Sequence, residues 1–325
     1  ILIGLVGSEM CIRDRLRLGT VEHKKEIKVI VLVENDIFLD VAKAAAQASI
    51  TDFDFTDMQR LIEQGENALE KVSFLLDQSN ESCFISADEV VFRPPVIPLQ
   101  YRAFSIFEDH LKNAFAQATK LSGIKYEIPP VWYEQPIYYK GNRLSFVGHK
   151  AEIKWPSFSE FLDIELEIAA IIGKKGRDIK EEDASNYIFG YSILNDISAR
   201  DAQMKEMPGQ MGPAKSKDFD TGNVLGPFIL TADEVDHPVA LNMEARVNGS
   251  VWGGGNSKDM HHSFSDIIAH ISRSETIYPG EVIGSGTVGT GSGIETGKKL
   301  APGDEFELEI EKIGTLSNKI VRTGL

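Results

Sequence analysis

The chain has 325 residues, about two domains' worth of length, and its 42% hydrophobic, 9% aromatic and 26% charged residues exclude a disordered or collagen-like protein. Forty-nine acidic against thirty-four basic residues give a net charge of −15, which argues against nucleic acid or an anionic membrane as the main partner. Apolar runs fall far short of the ~20 residues of a membrane span, and two cysteines, Cys11 and Cys83, cannot form a disulfide framework, so the expected compartment is a reducing cytoplasm.

The segment Ile1–Arg15 lacks an initiator Met, a basic n-region and an apolar run of signal-peptide length. It is similar to a translated sequencing-adapter fragment and is set aside as an expected artefact; its two acidic and two basic residues leave the net charge unchanged. Residues 16–98 are expected to form a small N-terminal domain and linker. Glu26–Glu34 is strand-like, 37–48 is expected to be helical, and 56–78 carries Met58, Leu61, Ile62, Ala68, Leu69 and Val72 at amphipathic spacing. Three prolines in 92–98 point to a linker.

Between Phe104 and Leu121 the apolar positions Phe104, Phe107, Leu111, Ala114, Phe115, Ala118 and Leu121 recur at three- and four-residue steps. This predicts a helix with a buried stripe, closed by Gly123, with His110 off the stripe and so on the surface. Beyond it short β-branched runs (226–230, 243–247, 306–313) alternate with turn residues, and helices are expected only near 184–194 and 264–272. The fold class is therefore β-rich α+β.

Within 163–167 carboxylates alternate with aliphatics, so a strand would place Asp163, Glu165 and Glu167 on one face. The same alternation over 307–311 reads as an edge strand with a wet face. What distinguishes the first is the polar run 195–203, which adds Asp196 beside the fixed cation Arg200. Three carboxylates from two segments suit a hard divalent ion such as magnesium, manganese or calcium, and no Cys/His cluster has zinc spacing. The run 212–221 holds Lys215 and Lys217 and reads as a surface loop, while the glycine-dense 283–295 allows backbone amides to approach an anion. His149, His237, His261, His262 and His270 have no constellation around them and read as structural or surface residues.

Six segments in order resemble the fumarylacetoacetate hydrolase superfamily: Phe107-Glu-Asp-His110, Asp163-Ile-Glu-Leu-Glu167, 195–203, 212–219, Gly284-Ser-Gly-Thr287 and Pro302-Gly-Asp304. The resemblance runs from about Pro95 to the end. It implies a catalytic domain over 99–325 with a rolled mixed β-sheet, usually dimeric. It further implies one divalent cation, magnesium first, on Glu165, Glu167 and Asp196, with His110 as the base that activates water and Glu295 orienting it. Lys217 matches a lysine that stabilises developing negative charge, and Arg200, Gln203, Tyr139 and Thr287 match substrate-contacting positions. Two departures stand out: Ala103 occupies the position of a fourth metal-ligating aspartate, and Asn113 that of a glutamate which, in short acylpyruvate hydrolases, lies three residues after the histidine.

The leading expectation is a metal-dependent hydrolase that cleaves a carbon–carbon bond in an anionic 1,3-diketo acid, of fumarylacetoacetate or acylpyruvate type. Its rival is a lyase or isomerase of the same family acting on a 2-oxo acid or hydroxy-dienoate without water attack. A degenerate binding module is the third reading, disfavoured by the complete ligand set.

Overall fold

The computed structural model describes residues 16–34 and 36–322. The segment set aside as an artefact, with Cys11, lies outside them. Cys83 is buried as a free thiol.

The architecture is strand-rich α+β, built on two mixed sheets. The larger runs Phe84–Ser86, Ile37–Asp40, Glu26–Glu34, Arg17–His23, Asn223–Thr231, Ile188–Asp196, Leu166–Ile172, Val282–Gly284, Tyr101–Phe104 and Tyr138–Lys140, with Val90–Arg93 and Phe146–Val147 pairing beside it. Most neighbours are antiparallel; Val282–Gly284 runs parallel to Tyr101–Phe104. Lys24 and Lys25, both at positive φ, close the first hairpin in two residues, where His23 faces Glu26. The second sheet runs Ser250–Asn256, Asn242–Val247, Glu305–Ile310, Gly314–Val321 and Glu152–Lys154.

Strand Leu166–Ile172 is buried at every position, and its alternate residues enter different cores. Leu166, Ile168, Ala170 and Ile172 pack in one core with Phe306, Leu308 and Ile310. Ala169 and Ile171 pack in the other with Leu18, Leu61 and Val72 from the N-terminal segment. A sheet covered on both faces needs apolar residues at consecutive positions, so the carboxylates at its end stand out chemically.

Several elements differ from the sequence expectation. The segment 37–48 divides into strand Ile37–Asp40 and helix Val41–Gln47, because the Asp40 side chain accepts from the Lys43 N–H and starts the helix. The segment 56–78 forms Met58–Gln64 and Glu66–Gln78, broken at Gly65, where φ is +66°. The first two residues of 92–98 end strand Val90–Arg93. In place of a helix over 184–194 the chain makes a 3-10 segment, Glu181–Tyr187, and then strand Ile188–Asp196. The helix expected from Phe104 begins at Glu108 and ends at Ser122, with Gly123 left-handed as expected. Its buried residue is His110, and Leu121 is 61% exposed. The helix presses its first turns against the glycine-rich segment, leaving the far end of the apolar stripe in solvent. Helix Phe264–Ile271 forms as expected, with a Ser263–Asp266 capping box. Strand Glu305–Ile310 has the wet face predicted, where Arg246 pairs with Glu307 and Glu309, but it lies in the interior of its sheet between two partners.

Candidate active site

Strands Leu166–Ile172 and Ile188–Asp196 pair antiparallel, with Leu166 opposite Asn195 and Glu167 opposite Leu194. The Glu165 N–H donates to Asn195 Oδ1 at 2.9 Å. This register brings the start of one strand to the end of the other, so Glu165, Glu167 and Asp196 converge with one oxygen from each within 4.8 Å of the others. All three are buried. Asp163 leaves this face: the strand breaks after it, and Leu162–Asp163 pairs instead with Ser198–Ala199. Its carboxylate receives the Gly293 and Ile294 N–H groups and the Arg200 guanidinium.

Two buried cations partly balance the carboxylates. Lys217, whose run alone reads as a surface loop but which the family resemblance assigns to the site, is 3% exposed; its Nζ donates to Glu165 Oε2 at 2.7 Å and lies 3.0 Å from Asp196 Oδ2. Arg200 Nη1 lies 2.7 Å from Glu165 Oε1 and donates to Gln203 Oε1 at 3.0 Å. Burial opposes ionisation of Glu165, but the charges of Lys217 and Arg200 hold its pKa down to about 2. Burial, then the charges of Asp196 and Glu165, push Glu167 well above the ordinary carboxylate range. Burial also raises Asp196, against the pull of Lys217.

These residues fit a hard divalent cation. The cluster offers oxygen donors only, and Asp196 Oδ1 is buried without a hydrogen-bond partner. Asp163, Glu165, Glu167 and Asp196 against Arg200 and Lys217 leave two negative charges when all are ionised, the amount a divalent cation cancels. Glu167 Oε2 is aimed by the Gly286 N–H at 3.0 Å, and a Cβ on Gly284 would stand 2.7 Å from that same oxygen. The glycine-rich segment thus brings amides to anions as expected, but the anions are the protein's own carboxylates.

His110 Nδ1 lies 3.0 Å from Glu295 Oε2. Glu295 sits in the one-turn helix Gly293–Thr296 and accepts from the Thr290 and Ser292 N–H groups at 2.7 and 3.1 Å. Asn113 also reaches Glu295, Nδ2 to Oε1 at 3.4 Å. His110 is close enough for its charge to act on Glu165. The Tyr139 hydroxyl donates to Asp196 Oδ2. Burial, then the Asp196 charge, raise the Tyr139 pKa well above its ordinary value and keep this donor protonated. Gln203 is held on Arg200, and Thr287 is buried one residue beyond Gly286.

Sequence reasoning passed over Tyr101. It is buried with its hydroxyl unpartnered, two residues before Ala103 on the same face of strand Tyr101–Phe104, and the charges of Asp196, Glu167 and Glu165 act on it. The one signal for it was that spacing from Ala103.

Residues 101–321 match the family described as fumarylacetoacetate (FAA) hydrolase C-terminal. A human relative, "Oxaloacetate tautomerase FAHD2A, mitochondrial", is 33% identical over 299 residues, covering 89% of this chain and 88% of its own. "Oxaloacetate tautomerase YisK" of Bacillus subtilis is 28% identical over 313 residues, 94% of this chain and 100% of that protein. The solved structure of a fumarylacetoacetate hydrolase from Exiguobacterium antarcticum superposes with a TM-score of 0.73 at 26% identity, over 95% of this chain and all of that one. By the family match over two-thirds of its length and by these relatives, the chain belongs to the fumarylacetoacetate hydrolase family.

Proposed function

We propose that the protein is a divalent-metal-dependent enzyme that interconverts the keto and enol forms of a small anionic 2-oxo acid of the oxaloacetate class. The observation that carries this reading is the buried placement of a three-carboxylate cage beside the His110–Glu295 pair. The names of the human and Bacillus relatives support the reaction class. Glu165, Glu167 and Asp196 would hold the cation, with magnesium the proposed ion and manganese or calcium suited to the same donors. Bound there, the cation supplies Lewis-acid polarisation of the 2-oxo group and stabilises negative charge on its oxygen.

The protein's own residues supply the proton transfer. His110 Nδ1 lies 3.0 Å from Glu295 Oε2 without the alignment of a hydrogen bond; a small turn of the ring would seat an Nδ1 proton on that carboxylate and make Nε2 the base. Nε2 takes the proton from the carbon next to the 2-oxo group and gives it to the enolate oxygen; the reverse direction retraces the path. Lys217 favours the ionised forms of Glu165 and Asp196, and Lys217 and Tyr139 both meet Asp196 Oδ2, which leaves Oδ1 for the cation. Arg200, Gln203 and Thr287 are the proposed contacts for the substrate's carboxylates.

The same histidine–glutamate pair favours a second reading, hydrolysis of a 1,3-diketo acid, because a base of this kind can deprotonate water. One assay separates the two. Magnesium-loaded enzyme is given the enol form of oxaloacetate and, separately, an acylpyruvate, and both enol decay and product identity are followed. The expected result is accelerated enol decay without acylpyruvate cleavage, abolished by EDTA and reduced roughly 100-fold or more by His110→Ala. Cleavage of the acylpyruvate with enol decay at the uncatalysed rate would replace the first reading with the second.

A further inference from the structure

We propose that Asp163 is a positioning residue that sets the distance between the carboxylate cage and the His110–Glu295 pair. This inference rests on the catalytic reading of that pair. Asp163 is fully buried. Its Oδ1 accepts from the Gly293 N–H at 2.7 Å, and its Oδ2 from the Ile294 N–H at 3.0 Å and from Arg200 Nε at 2.9 Å. On the far side of Arg200, Nη1 meets Glu165 Oε1 at 2.7 Å. On the far side of the two amides, the same helical turn carries Glu295 to His110.

An unbroken chain of charge-assisted contacts therefore runs from a proposed metal ligand through Arg200 and Asp163 to the partner of the proposed base. The three bonds at Asp163 are short, directional, charge-assisted hydrogen bonds, and the outer links are close ion-pair approaches of 2.7 Å at Glu165 and 3.0 Å at His110, so a shift at Asp163 is passed to both ends. The turn is also held by a bridge between Glu165 and Ser292, by the Leu166 N–H on the Gly291 carbonyl at 3.1 Å, and by Asn113 and Gln117, which donate to the Glu295 carboxylate and carbonyl at 3.4 Å. Asp163 holds the two amides that open the turn, and it is the one of these contacts that also reaches Arg200. The glycine at 293 belongs to the same device: a Cβ there would stand 2.6 Å from Asp163 Oδ1. Asp163 touches neither the cage nor His110 in this arrangement, and its effect is exerted through the groups it holds.

The test is Asp163→Asn, whose amide nitrogen must face either a backbone N–H or the guanidinium. Three readouts are taken: steady-state kinetics, manganese affinity, and NMR of ring-nitrogen-labelled histidine in the metal-free protein, with His110 assigned by its loss in His110→Ala. The expected result is a roughly 100-fold fall in kcat with KM and manganese affinity changed by no more than about threefold, and loss of the fixed Nδ1–H tautomer at His110. Gly293→Ala, which displaces the turn and keeps the carboxylate, should reproduce all three and stands in if the first variant does not fold. An unchanged kcat and histidine spectrum, or a fall in metal affinity as large as the fall in kcat, would overturn the proposal. If the wild-type protein turns over no 2-oxo acid, the functional reading fails, and Asp163 is then judged by the histidine spectrum and the manganese affinity alone.

Discussion

Lys217 is the residue whose burial most changes the reading of the site, since its ammonium sits between Glu165 and Asp196 and away from water. Burial opposes its charge, and the two carboxylates restore it, so its pKa lies above the ordinary lysine value. Removing one partner of such a cluster leaves buried charge uncompensated, which costs about 3–5 kcal/mol. Lys217→Met should destabilise the metal-free protein by that order and cost less when magnesium saturates the cage, because a bound cation then replaces the lost charge. Denaturant unfolding with and without magnesium checks this; equal losses in both would show that Lys217 does not serve the cage. Glu165, Glu167, Asp196, His110 and Glu295 were legible in the sequence because their spacing is tied to a family pattern. Asp163 and Tyr101 were not. Alternation assigned Asp163 to the face of Glu165, and only a break in the strand, invisible to a period-two pattern, turns it toward the Gly293 turn. Tyr101 has no signal beyond its two-residue spacing from Ala103, since tertiary packing brings its ring beside the carboxylates.

At the scale of elements, legibility followed clear end signals and residue type. Helix Phe264–Ile271 has a clear cap and an apolar stripe, and strand Glu26–Glu34, though buried on both faces at 29–32, has charged ends and a β-branched run, and both appear where expected. Strand Ile188–Asp196 is buried on both faces, and a continuous apolar run carries no period by which to tell strand from helix. That strand matters most, since it delivers Asp196. The short strand Val282–Gly284 matters for the opposite reason, what it lacks. A methyl at position 284 would lie 2.7 Å from Glu167 Oε2 and 2.7 Å from Leu194 Cδ2. Gly284→Ala should therefore cost about 1–3 kcal/mol through overpacking and displace Glu167 from the cage. Magnesium affinity, measured by titration calorimetry, is expected to fall by about tenfold or more, the equivalent of about 1.4 kcal/mol. Unchanged affinity would show that Glu167 is not positioned by this close approach.

On the scale of the whole molecule, the distant parts of the chain are joined by polar contacts as well as by the shared sheet. His149 is one such joint. Its ring stands edge-on to Phe92 at 4.8 Å, and its Nδ1 accepts the Ser317 N–H at 3.0 Å, so one imidazole ties strand Val90–Arg93 to strand Gly314–Val321. An imidazolium has no acceptor at Nδ1, and the folded protein therefore requires the neutral ring. Burial, and then the Lys150 charge, lower its pKa from 6.5 to about 4. In the unfolded chain the same ring takes a proton near 6.5, so between that value and about 4 the unfolded state binds more protons. The contribution of His149 is complete above the unfolded pKa and declines as the pH falls through this window, by about 2–3 kcal/mol at its lower end. Buried carboxylates also respond to acid, so the measurement must be a difference. His149→Gln keeps an acceptor for Ser317 and cannot titrate. Denaturant unfolding of both proteins at pH about 7.5 and about 4.5 should show the wild type losing about 2 kcal/mol more than the variant. Equal losses would mean that His149 is protonated in the folded protein and that the joint to Ser317 is made in some other way.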